Sequence, residues 1–326
     1  MKKILSLVLV FCLAFSAILF FGCNEKQPEE KTPKNVNIVA FGDSISAGYG
    51  PQGSEMYSYY NNYVIGRNKI NEKCFSYALA SSIRSEDVTI SAVSYAESGD
   101  TTDDLIEKLN DKRNYPDLLT DMSRADIITL CIGANNVLAP TLNNMMALMS
   151  GTMSLEDFET ILQSGYENFK DDYTNSIIPV LTRSNAQIYV MTIYDPYKYA
   201  SFEDVRVTGS YDFDITQFES EFFAVKNLAI TYLNKINSYI KSQIFDNVFV
   251  VDVNASFESL TKAQYAQYLN IDTTKITLNI NSAFDILSLQ QTLLGNIYFD
   301  PHPTISGQAY IASLFYNAVV KNNQNA

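Results

Sequence analysis

Five short apolar runs punctuate the chain from residue 36 onward: VNIVAF (36–41), VTISAV (88–93), DIITLCIG (126–133), AQIYVMTIY (186–194) and NVFVVDV (247–253). They are mostly continuous rather than alternating, and rich in Val and Ile, the pattern of parallel strands buried on both faces. Between them apolar positions recur at helical spacing. Residues 154–178 align Leu155, Phe158, Ile161, Leu162, Phe169 and Tyr173; residues 217–244 align Phe218, Val225, Leu228, Tyr232, Ile236 and Ile240; a last helix at about 305–320 carries Ile311, Phe315 and Val319. Thr101 with Asp104, Ser154 with Asp157 and Thr216 with Glu219 each pair a hydroxyl with an acid three residues on, the capping-box arrangement of a helix start. Strands and helices in strict alternation predict an α/β fold, a doubly wound parallel sheet with right-handed crossovers. Such folds keep their sites at the carboxyl ends of the strands. Two long segments, 137–153 and 258–297, read as insertions at those ends, where loops shape a pocket, and the second contains a helical apolar pattern.

The first residues follow a different pattern. Lys2 and Lys3 precede a nearly uninterrupted apolar stretch at 4–21, then Gly22 and Cys23. This reads as a secretion signal; a retained membrane anchor is the alternative, since 18 apolar residues are borderline for spanning a bilayer. Either way the positive flank stays inside and the rest of the chain is exported. The Gly–Cys pair resembles the lipobox of a bacterial lipoprotein, which implies that Cys23 is lipidated and holds the protein on the outer face of the cell membrane. Residues 24–35, NEKQPEEKTPKN, are polar and Pro-containing, as expected of a flexible tether. The division is therefore a signal peptide at 1–22, a lipidated Cys and tether at 23–35, and a single domain at 36–326.

Composition narrows the chemistry. The 326 residues are 47% hydrophobic and 18% charged, a globular balance that excludes a disordered or collagen-like chain. The net charge of −13 argues against a nucleic-acid partner. One histidine, His302, and four cysteines cannot supply the usual zinc ligand sets, so any imidazole base must be His302. Cys74 and Cys131 do not make a disulfide framework, and Cys131 reads as a core residue. Asp212 and Asp214 lack the spacing of a calcium loop and read as a solvated acidic turn. The Tyr-rich stretch YSYYNNY (57–63) follows the first strand closely enough to line a site.

Four blocks gather at the strand ends: Gly42-Asp43-Ser44-Ile45-Ser46-Ala47-Gly48, then Ser98-Gly99-Asp100-Thr101-Thr102, then Gly133-Ala134-Asn135-Asn136, and Asp300-Pro301-His302-Pro303 before the last helix. Acyl transfer needs a nucleophilic hydroxyl, a base and donors for a developing oxyanion, and these residues supply that set. There is no Gly-x-Ser-x-Gly elbow, which disfavours an ordinary α/β-hydrolase. The blocks resemble the GDSL/SGNH hydrolases, whose name records Ser, Gly, Asn and His in this chain order. Ile45 stands where Leu is usual, Asn136 where Asp is usual, and the acid precedes His by two residues instead of three. The resemblance spans 36–320. It implies a flavodoxin-like three-layer sandwich and an ester hydrolase needing no metal or organic cofactor. It further implies Ser44 as nucleophile, His302 as base, and an oxyanion hole from the Ser44 and Gly99 N–H groups and the Asn135 amide. Asp300 would orient the imidazole, with a backbone carbonyl as the alternative. Asp43 braces the loop. The expected activity is hydrolysis of acyl-lipid or small esters at a membrane surface. A carbohydrate O-deacetylase and an inactive surface-binding lipoprotein are the alternatives. The Met-rich run at 137–153 suits an apolar acyl chain or serves local packing.

Overall fold

The computed structural model describes residues 34–49, 72–149, 151–212, 214–271, 277–282 and 299–325. The leader with Cys23, most of the tether and the Tyr-rich stretch at 57–63 lie outside the described residues. Strands β1 (Lys34–Gly42), β2 (Val88–Ser94), β3 (Ile127–Cys131), β4 (Gln187–Met191) and β6 (Val248–Val251) form a five-stranded parallel sheet in the order β2-β1-β3-β4-β6. That is the flavodoxin-like order, with its switch point between β1 and β3. Between β4 and β6 in the chain, β5 (Arg206–Thr208) pairs in parallel with β8 (Thr277–Asn279) as a separate two-stranded sheet. Strand β7 (Leu269–Ile271) pairs antiparallel with β9 (Phe299–Pro303).

Successive side chains of a strand point to opposite faces, so each continuous apolar run feeds two cores. Val39, Phe41, Ile128, Leu130, Ile188 and Val190 enter one. Ile38, Ile127, Cys131, Tyr189, Met191 and Val251 enter the other. The first core is closed by α3 (Thr102–Asn110), α4 (Leu118–Arg124), α6 (Leu155–Asp172) and α8 (Ile215–Ser242). The second is closed by α2 (Phe75–Ile83), α9 (Val253–Glu258), α10 (Lys262–Tyr268) and α11 (Ile305–Asn325). This gives three layers. Cys74 and Cys131 are both buried free thiols.

Several sequence expectations need correction. The Met-rich segment is no loop: α5 (Asn135–Met149) runs through most of it, continuing past Pro140. Pro140 cannot donate to the carbonyl of Asn136. That carbonyl instead faces Gly165 of α6, where an added Cβ would sit 2.1 Å from the oxygen. The apolar stripe at 154–178 is broken. Helix α6 ends at Asp172, a π-turn spans Tyr173–Ile177, and α7 (Ile178–Leu181) follows with Pro179 in its first turn. Pro179 lacks the N–H that would bond the Asn175 carbonyl, so the ladder widens there. Leu155, expected on the buried side, is 48% exposed. The box at Thr216 and Glu219 is not the cap of α8; Asp214 takes that place, accepting from the N–H groups of Thr216 (2.9 Å) and Gln217 (3.1 Å). A carboxylate one residue before the helix reaches both free donors, and Thr216 then lies inside the first turn. The helical pattern expected within 258–297 is met at its start by α10, which β7 follows.

Candidate active site

The chain leaves β1 at Gly42 with φ +136°, pressed so closely on β3 that a Cβ there would stand 2.1 Å from the Cys131 carbonyl oxygen. Only glycine fits. Asp43 then caps a one-turn helix, α1 (Ser44–Ala47), accepting from the Ile45 N–H at 3.0 Å. Ser44 is its first residue, a position whose N–H has no intrahelical acceptor. The turn is pinned from two sides. Ser46 Oγ donates to the Phe41 carbonyl at 3.1 Å. Gln308 of α11 accepts from the Phe75 N–H at 2.9 Å and donates to the Ile45 carbonyl at 3.1 Å.

Ser44 is nearly buried, and its Oγ lies 2.8 Å from His302 Nε2. Asp300 Oδ1 meets His302 Nδ1 and also accepts the His302 backbone N–H at 2.8 Å. A carboxylate oxygen thus stands at Nδ1 despite the short spacing between acid and imidazole. The Tyr49 ring lies against the imidazole, centroids 4.3 Å apart. Burial, then the charge of Asp300, raises the Tyr49 phenol above its ordinary range.

The second and third blocks are tied to each other. Asn135, at the start of α5, donates through Nδ2 to the Asp100 carbonyl at 2.9 Å. An amide nitrogen carries two protons, so a second donor remains. The Asn136 Oδ1 accepts from the Thr102 N–H at 3.2 Å and its Nδ2 donates to Thr102 Oγ1 at 2.8 Å. Thr102 Oγ1 donates in turn to Asp172 at 2.5 Å. Gly99, exposed and at φ +93°, sits directly before this junction.

Residues 38–315 match the family model described as GDSL-like Lipase/Acylhydrolase. The chain belongs to that family. As a member of it, the protein is an ester hydrolase. An extracellular lipase of Streptomyces rimosus shares the fold at a TM-score of 0.53 and 19% identity, over 87% of this chain and 99% of that one. A phospholipase A1 of Streptomyces albidoflavus NA297 aligns over 87% of this chain and 99% of its own, at a TM-score of 0.47 and 17% identity. In sequence the hydrolase is 25% identical over 206 residues to the uncharacterized protein YpmR of Bacillus subtilis (strain 168), covering 63% of this chain and 69% of that protein.

Beside Gly99 the hydrolase has a cavity of about 370 Å³, lined by Glu97, Asp100, Asp104, Glu107 and Lys108 among others. Lys108 is buried, paired with Asp100 and lying 3.5 Å from Glu97. Burial pushes the Asp100 carboxyl up to about 7 even with the Lys108 ammonium against it. Lys108 and Gln308 were missed in the sequence. Each lies on an apolar stripe, Lys108 three residues after Leu105 and Gln308 three before Ile311, and a polar residue on such a stripe is the signal that could have found them.

Asp43 is 1% exposed, with one carboxylate oxygen lacking a hydrogen-bond partner, and burial raises its carboxyl to about 6 despite the Ile45 N–H and the charge of His302. The folded state therefore holds a proton that the unfolded chain, near 3.8, has released. Asp43 lowers stability as pH climbs through that window, by about 3 kcal/mol in all at 1.36 kcal/mol per unit. Asp43→Asn keeps the capping oxygen and removes the titration. Urea unfolding at pH 4, 5.5 and 7 should show the variant losing less stability than wild type as pH rises. Parallel pH slopes would contradict this.

Proposed function

We propose that the protein hydrolyses carboxylic esters with Ser44 as nucleophile and His302 as general base, the imidazole oriented by Asp300. The observation that carries this reading is the 2.8 Å contact between His302 Nε2 and Ser44 Oγ, with Asp300 on the opposite ring nitrogen. Ser44 Oγ attacks the ester carbonyl while Nε2 takes its proton; the carbonyl oxygen becomes an oxyanion. The Ser44 and Gly99 N–H groups and the second amide proton of Asn135 stabilise that charge. As the intermediate collapses, the imidazolium gives its proton to the leaving alcohol, and water later repeats the sequence on the acyl-enzyme. The contact between serine and imidazole weighs against an inactive binding protein.

Asn135 acts on charge present only in the transition state. Asn135→Ala should lower kcat by roughly ten- to a thousandfold with little change in KM. Asn136→Ala, which removes a tie to Thr102 but no oxyanion donor, should cost less. The reverse order would move the third block by one residue.

The substrate class follows from the surroundings. The Met-rich run of sequence at 137–153 supports an apolar acyl chain. The polar, acidic cavity beside Gly99 favours instead a hydroxyl-rich alcohol, as in an O-acetylated sugar. A panel of nitrophenyl esters from acetyl to palmitoyl, with acetylated xylan and acetylated peptidoglycan, separates the two. Long-chain preference supports an acyl-lipid hydrolase, and release of acetate from polysaccharide supports a deacetylase. No turnover of any ester would end the catalytic reading.

The apolar leader and Gly22–Cys23 support export and a lipid anchor at Cys23. Cys23→Ala should move the protein from the membrane fraction to the soluble one, or leave the leader uncut. A wild-type protein found soluble, unlipidated and cut elsewhere would refute the anchor.

A further inference from the structure

We propose that Tyr194 is a positioning residue for the acid–imidazole pair, an inference that rests on the catalytic reading above. Its hydroxyl donates to the Pro301 carbonyl at 2.8 Å, across 107 residues of sequence. Pro301 is the single residue between Asp300 and His302. The Pro301 carbonyl and the His302 N–H belong to one planar trans peptide group and point in opposite directions. Tyr194 holds one side of that plane, and Asp300 Oδ1, accepting the His302 N–H at 2.8 Å, holds the other. The same Oδ1 meets Nδ1 of the ring. If the plane rotates, the N–H swings away from the carboxylate and the carboxylate loses its set on the imidazole.

In the pairing of β7 with β9, Leu269 faces Pro303 and the adjacent Asn270 faces Asp300, so Pro301 and His302 bulge out of register. A bulge re-aims a side chain. Tyr194 restrains this peptide from the carbonyl side, and it is itself held firmly. The preceding residue, Ile193, has both backbone groups bound by the buried Asn237 amide at 2.7 Å each. The Tyr194 ring is 2% exposed and stacks on Phe257, centroids 4.5 Å apart. Burial keeps the phenol far above its ordinary range, so it remains a donor. This accounts for an acid set two residues before its histidine: across the bulge of β9 the phenol holds one side of the peptide plane and Asp300 the other.

The test is Tyr194→Phe in the full chain, which keeps the ring and its stack and removes only the oxygen. With a nitrophenyl ester, kcat should fall about tenfold or more while KM stays within about twofold. In an Asp300→Asn background the same substitution should change kcat by less than about twofold, because the group it positions is already gone. Tyr199→Phe is the control. Its hydroxyl makes an equivalent 2.8 Å bond to the Leu260 carbonyl, and its loss should leave kcat unchanged. Wild-type kcat in Tyr194→Phe, an equal loss in both backgrounds, or an equal loss in Tyr199→Phe would each overturn the proposal. Ser44→Ala is assayed beside them. If it is inactive while Tyr194→Phe is unaffected, only the positioning role falls; if it is active, the catalytic reading falls and the positioning role with it.

Discussion

Ser44→Ala is expected to lower ester turnover on the order of 10⁴-fold or more while leaving the fold intact. The size follows from what the hydroxyl does. In the proposed mechanism, without it there is no acyl-enzyme and His302 has no nucleophile to deprotonate; only oxyanion donors and substrate positioning remain, which still accelerate attack by water to a limited degree. The fold should not suffer, because the local structure hangs on other groups. Asp43 caps the turn through its own carboxylate, Ser46 and Gln308 pin it, and Tyr49 N–H bonds the Ser44 carbonyl at 2.8 Å, a bond that alanine retains. KM should change little, since a hydroxyl adds little ground-state binding. Circular dichroism and thermal melting check the fold, and kcat for a nitrophenyl ester checks the chemistry. A variant retaining a tenth of wild-type turnover would place the nucleophile elsewhere.

Asp300→Asn should cost about a hundredfold or more in kcat. In the proposed mechanism the carboxylate accepts from Nδ1, which leaves Nε2 free to take the Ser44 proton and supplies a counter-charge to the imidazolium. An amide in the same place can present its N–H₂ to Nδ1, favouring the tautomer with the proton on Nε2, where it blocks the base. Asp300 is buried and also binds the His302 N–H, so Asn preserves the shape of the turn while removing the charge. A loss under about tenfold would mean that a backbone dipole suffices to orient the ring. Full activity in Asp300→Asn would remove the carboxylate from the role of orienting the base.

Much of the architecture was legible because burial on both faces leaves a parallel strand no polar positions to spend. The runs at 36–41, 126–133 and 186–194 became β1, β3 and β4, and the blocks holding Ser44, Asn135 and His302 fell beside their ends. What was misread had local causes. Pro140, Asn143 and Asn144 interrupt the apolar pattern of α5, so a helix looked like a loop; the Asn144 side chain in fact donates to the Pro140 carbonyl at 2.8 Å. At α8, Thr216 and Glu219 had the spacing of a cap, but Asp214 stood closer to the first free N–H groups. Asp300 could be proposed for the imidazole but not preferred over a carbonyl on spacing alone. The restraint that makes its turn workable, Tyr194 on Pro301, joins residues far apart in the chain and leaves no periodic trace.

The most direct measurement is to treat the full-length protein with a fluorophosphonate, digest it and locate the adduct by mass spectrometry. The reagent phosphonylates only a serine made nucleophilic by a base and seated beside oxyanion donors. A single adduct on the peptide containing Ser44, formed in step with loss of ester turnover and absent in Ser44→Ala, is the predicted result. Turnover lost with the adduct on another serine, or esters hydrolysed by a protein that takes up no phosphonate, would contradict it.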